Sequence, residues 1–89
     1  MLNKEITIVN KLGLHARAAA KFVSLASGFE SEIMLKRNGK CVNGKSIMGV
    51  MMLAAGCGTT IELSANGNDE NRAITELNAL IEDRFGEEQ

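Results

Sequence analysis

The chain's single histidine, His15, stands in the stretch Asn10-Lys11-Leu12-Gly13-Leu14-His15-Ala16-Arg17. A strand-like alternation ends before it and a helical spacing begins after it, so the ring falls at a helix start. The first turn of a helix has N–H groups without intrahelical partners and the positive end of the helix dipole, a combination that holds anions. The same field favours a neutral, nucleophilic imidazole. Arg17, two residues on, can fork onto phosphate oxygens. A lone histidine is most often plain surface or core. Histidine, helix start and arginine together suit a phosphohistidine better than a metal centre, which needs more ligands. No acids cluster with His15, so neither a metal site nor a hydrolase site is expected, and no cofactor is called for. Ser46 is the second candidate, placed just before Ile47, Met48, Val50, Met51 and Leu53 as an N-cap, where a plain cap is worth about 1 kcal/mol.

The elements that must position these residues follow from periodicity. Lys4 to Val9 alternates around Ile6 and Ile8, a half-buried strand. Ala16, Ala19, Ala20, Val23 and Ala26 recur three and four apart and predict a helix that stops near Gly28 in a left-handed cap. Ile33 and Leu35 mark a second strand, Asn38-Gly39 a type I′ hairpin turn, and Lys40 to Asn43 the returning strand. Ser46 opens a short helix that Gly56 and Gly58 end, and Thr60 to Ser64 alternates as a fourth strand. Asp69 caps a last helix with the stripe Ala73, Ile74, Leu77, Leu80 and Ile81 and with Arg84 near its negative end. The tail from Gly86 to Gln89 is expected to fray. Strands with one apolar face need helices on that face only, so the order β-α-β-β-α-β-α predicts an α+β two-layer sandwich.

At 89 residues the chain is read as one domain, spanning 1–89, with no linker or repeat. Ten basic against eleven acidic residues, no Trp and no Tyr supply neither the field nor the stacking platforms of nucleic-acid binding. No leader and no apolar run long enough for a bilayer is seen, so a cytoplasmic protein is expected, with no membrane insertion. Cys41 and Cys57 lack CxxC spacing and are read as small apolar core fillers, reduced in that compartment.

Gly13-Leu14-His15-Ala16-Arg17, the second stretch Asn43-Gly44-Lys45-Ser46-Ile47-Met48-Gly49-Val50-Met51 and the element order resemble HPr, the histidine-containing phosphocarrier family of the phosphoenolpyruvate-dependent sugar phosphotransferase system. The resemblance runs from Lys4 to about Phe85. It implies an open-faced sandwich, a four-stranded antiparallel sheet with three helices on one face. It also implies that His15 accepts a phosphoryl group from enzyme I on the ring nitrogen facing the helix start, with Arg17 receiving the phosphate. His15 would then pass the group to a histidine of a permease or regulatory A domain, a covalent carrier and not a stand-alone catalyst. Ser46 would be the site that HPr kinase/phosphorylase modifies, placing about two negative charges near the surface that enzyme I approaches. Ala16, Ala20, Ile47, Met48 and Met51 would form the partner face, which Arg17, Lys21 and Lys45 could rim with positive charge against acidic partners. The sequence leaves oligomeric state open, with monomer the default for a carrier that meets partners in turn.

One departure stands out. The family usually has proline after the arginine of the histidine motif, where this chain has Ala18 and, throughout, no proline at all. Alanine allows the same helix start and adds an N–H donor, so phosphoryl acceptance should survive with an altered phosphohistidine lifetime. The family's nitrogen branch also reads Asn-Lys-Leu-Gly before its histidine, so a purely regulatory carrier is an alternative reading. A non-covalent anion-binding module is another.

Overall fold

Four alternating stretches become four strands in the computed structural model, which describes residues 1–87. They are β1 (Leu2–Thr7), β2 (Glu32–Arg37), β3 (Lys40–Asn43) and β4 (Thr60–Asn66). Helices α1 (Ala16–Ala26), α2 (Ile47–Met52) and α3 (Glu70–Glu82) complete the predicted order, and a 3₁₀ turn at Arg84–Gly86 follows α3. The strands lie in the order β1-β4-β2-β3 and every pair is antiparallel. Register sets Ile6 opposite Ile61, Leu35 opposite Leu63 and Ile33 opposite Ala65. All six are buried, because the alternation aims them at the layer of helices. Lys36 and Glu62, opposite one another and one residue out of step, lie on the open face.

The helices contribute Ala18, Ala19, Phe22, Ala26, Val50, Ala73, Leu77 and Ile81 to the same core. Each large apolar side chain removed from water there is worth roughly 1.5–3 kcal/mol, which is what holds so small a sandwich together. The type I′ turn is as expected, with Asn38 at φ 50° and Gly39 at φ 81°. No helix among the described residues is long and apolar enough to cross a membrane.

Five local expectations are corrected. The buried stripe of α1 is Ala18, Ala19, Phe22 and Ala26, and both Ala16 and Ala20 are exposed. Burying Phe22, far larger than any alanine, sets the rotation of the helix. Gly28 is not left-handed; α1 leaves through a right-handed Ser27, with Gly28 N–H donating to Leu25 O at 3.1 Å. Likewise α2 ends before its glycines. Ala54 takes the left-handed position at φ 53°, while Arg37 Nη1 donates to Leu53 O and Ala54 O, each at 2.8 Å, and Lys40 Nζ to Met52 O at 3.0 Å. Cations of the β2–β3 hairpin thus satisfy the last carbonyls of α2 and meet its negative end.

Asp69 stands at the N-cap position of α3, but its carboxylate does not cap. It accepts instead from Glu30 N at 2.9 Å, Ser31 N at 3.0 Å and Ser31 Oγ at 2.5 Å. These donors, the Ser31 hydroxyl foremost, hold its pKa down at about 2. Finally, Cys41 and Cys57 are exposed and fill no core. Cys41 pairs with Lys36 and so shares the open face, and Cys57 sits in the loop between α2 and β4.

Candidate functional site

The approach to His15 is a loop held at both ends. Asn10 is fully buried, and its Nδ2 donates to Gly13 O at 2.8 Å while Gly13 N–H donates to Asn10 O at 3.2 Å. Gly13 adopts φ 68°, and a Cβ there would lie 2.6 Å from Ala55 O and 2.7 Å from Gly56 Cα. Only glycine fits. Leu14 N–H then donates to Ala55 O at 2.9 Å, and its side chain is buried. The loop is therefore fastened to the segment after α2, and the chain emerges from it directly into α1.

His15 is the N-cap residue of α1, with extended φ −75° and ψ 176°, and its side chain makes no capping bond. The first intrahelical bond runs from Ala19 N–H to His15 O at 2.9 Å. The N–H groups of Ala16, Arg17 and Ala18 therefore precede the ladder and point forward from the helix start. Arg17 is exposed beside them. The imidazole is 29% exposed, open enough to meet a partner and fixed enough to keep an orientation. Sequence and structure agree on the location of His15 and Arg17 together at one helix N-terminus.

The structure adds a partner that the sequence did not single out. Glu87 Oε2 lies 2.5 Å from His15 Nε2, and Glu87 Oε1 accepts from Asn10 Nδ2 at 3.0 Å. The Asn10 amide first, then the ring, hold the Glu87 carboxyl below the usual range. Gly86 and Glu87 are thus ordered rather than frayed, whereas the expectation for Glu88 and Gln89 falls outside the described residues. Phe85, fully buried, anchors this tail, and Lys21 Nζ donates to Phe85 O at 2.6 Å. The signal was Phe85 itself, an apolar residue that no frayed tail requires.

Ser46 is the N-cap of α2, accepting from Gly49 N–H at 3.1 Å as its position implied. Just before it, Lys45 Nζ reaches Phe29 O at 2.7 Å, beyond the C-terminal end of α1, while Ala55 after α2 touches the His15 loop. So α2 runs antiparallel to α1, and Ser46 lies at the end of α2 away from His15. Between them α2 buries Val50 and leaves Ile47, Met48 and Met51 exposed, Met48 to 71%. Ala16 and Ala20 are exposed on the neighbouring α1. Lys21 and Lys45 spend their ammonium groups on backbone carbonyls, so of the three cations expected to rim this face they are the two tied down.

An open-faced α+β sandwich thus sets a lone, half-open histidine at a helix start. A family profile described as the PTS HPr component phosphorylation site matches residues 2–83. Phosphocarrier protein HPr of Cupriavidus necator is 58% identical over 87 residues, covering 98% of each chain. A crystal structure of HPr from Thermoanaerobacter tengcongensis superposes with TM-score 0.96 at 52% identity over the whole of both chains. A crystal structure of an HPr dimer from the same organism gives TM-score 0.79 at 52% identity, over 98% of this chain and all of the other. The chain belongs to the HPr phosphocarrier family of the phosphotransferase system.

Proposed function

We propose that this chain carries a phosphoryl group on His15, taking it from phospho-enzyme I and giving it to a histidine of a permease or regulatory A domain. The observation that carries the reading is the placement of a half-open imidazole ahead of three free N–H groups and Arg17 at the start of α1. Such a site asks little covalent work of the protein. Donor and acceptor nitrogens are brought into line, and positive charge surrounds the moving group. With no turnover of its own, the chain acts as a covalent participant in a relay and not as an enzyme. It works in the cytoplasm as a monomer that meets partners in turn.

The exposed Ile47, Met48 and Met51, with Ala16 and Ala20 beside them, form the docking face. Methionine suits a surface that meets unlike partners, because its side chain adapts. Phosphorylation of Ser46 by HPr kinase/phosphorylase regulates the carrier through this face. Phosphoserine at an N-cap agrees with the helix dipole and leaves α2 folded. Since Ser46 is at the far end of α2 from the ring, its charges act on enzyme I docking and not on His15 directly.

The test is intact mass and phosphorus NMR after mixing with enzyme I, phosphoenolpyruvate and magnesium, beside His15→Ala. One acid-labile phosphoryl group on the wild type alone is expected. Phosphate bound without a covalent adduct, with enzyme I active on another carrier, would sink the reading and leave a passive anion site.

A further inference from the structure

The geometry points to Glu87 as a positioning residue for His15, an inference that rests on the carrier reading above. A carboxylate only accepts hydrogen bonds, so its contact of 2.5 Å with Nε2 requires the proton to be on Nε2. In the neutral ring the lone pair is then on Nδ1. Glu87 is itself held from three directions. Its other oxygen takes the Asn10 amide at 3.0 Å, buried Phe85 roots the tail two residues earlier, and Lys21 fastens the Phe85 carbonyl at 2.6 Å. Asn10 also holds Gly13 O at 2.8 Å, so one buried amide joins the loop that carries the histidine to the carboxylate that orients it.

The consequence for phosphoryl transfer can be written bond by bond. The Nδ1 lone pair attacks the phosphorus of the donor phosphohistidine, and the donor N–P bond breaks with its electron pair returning to the donor nitrogen. The His15 ring now carries positive charge, which the Glu87 carboxylate meets through Nε2–H. On onward transfer the Nδ1–P bond breaks, its pair returns to Nδ1, and the ring is released as neutral imidazole with the same Nε2 proton. No proton moves in either step. A ring stripped of that proton would have to leave as an anion, so a carboxylate that keeps it in place favours donation as well as acceptance.

The experiment compares wild type with Glu87→Ala and Glu87→Gln, whose Phe85 anchor is untouched. Proton–nitrogen NMR of the unphosphorylated ring reports which nitrogen is protonated, and rapid-quench mixing with phospho-enzyme I reports acceptance. The wild type should show the proton on Nε2 with a far-downfield, slowly exchanging resonance that Glu87→Ala loses. Acceptance by Glu87→Ala should fall about tenfold, the effect of one charge-assisted hydrogen bond. Glu87→Gln, which still accepts from Nε2–H without the charge, should recover part of that loss at unchanged melting temperature. Acceptance by Glu87→Ala at the wild-type rate overturns the inference, and so does a proton found on Nδ1. A wild type that takes no phosphoryl group defeats the carrier reading instead; the protonated nitrogen, read without enzyme I, keeps the two failures apart.

Discussion

At the scale of single residues, Ala18 stands where the family resemblance implies proline. This residue is buried at the third position of α1, and its N–H has no intrahelical acceptor. Proline would keep the helix start and delete that donor. Under the proposed carrier role this donor would turn to the group on His15, in a bond that weakens as the group departs. Phosphorylated Ala18→Pro should therefore hydrolyse faster than wild type, by roughly threefold to tenfold for one charge-assisted hydrogen bond. Following the acid-labile label with time in both proteins decides it, and equal rates refute it. The placement of His15, Arg17 and Ser46 was legible because a helix start or a cap is written in local sequence. Glu87 was not, because 72 residues separate it from His15 and only the folded tail brings them together.

At the scale of elements, strands and helices were legible wherever burial is periodic, and their ends were not. Ala54 ends α2 in a left-handed conformation that sequence assigns to glycine, because Arg37 and Lys40 reach across from the hairpin to its carbonyls. Asp69 looks like a cap from sequence and is instead the acceptor for the turn between α1 and β2. That second role has a pH signature. The carboxyl titrates at about 2 in the fold against an ordinary 3.8. A depressed folded pKa contributes stability above the unfolded value, and that contribution is lost as pH falls toward the folded one. Denaturant midpoints should drop between about pH 4 and pH 2 in the wild type, more steeply than in Asp69→Asn, which has nothing to titrate there. Parallel acid limbs would refute the assignment. Glu70 and Glu87, both lowered, remain in the variant and account for the slope that persists.

At the scale of the whole molecule, core and site share one structural member, the C-terminal tail. The 3₁₀ turn carries Arg84 and Phe85 through left-handed conformations at φ 57° and 56°, a strain that the burial of Phe85 helps to offset. The same turn delivers Glu87 to His15 and Asn10. Truncating a fully buried phenylalanine costs about 3–5 kcal/mol, a large part of the roughly 5–15 kcal/mol that a domain of this kind has in total. Phe85→Ala should thus lose stability and ordered contact at His15 together, with the melting temperature falling by more than 10 °C on a scale of about 4–8 °C per kcal/mol. Glu87→Ala should lose the contact alone. Calorimetry and the Nε2 proton resonance, measured on both variants, separate the two effects. If Phe85→Ala unfolds earlier yet keeps that resonance at low temperature, the tail is held by its polar contacts with Asn10 and Lys21, and the aromatic anchor serves only the core.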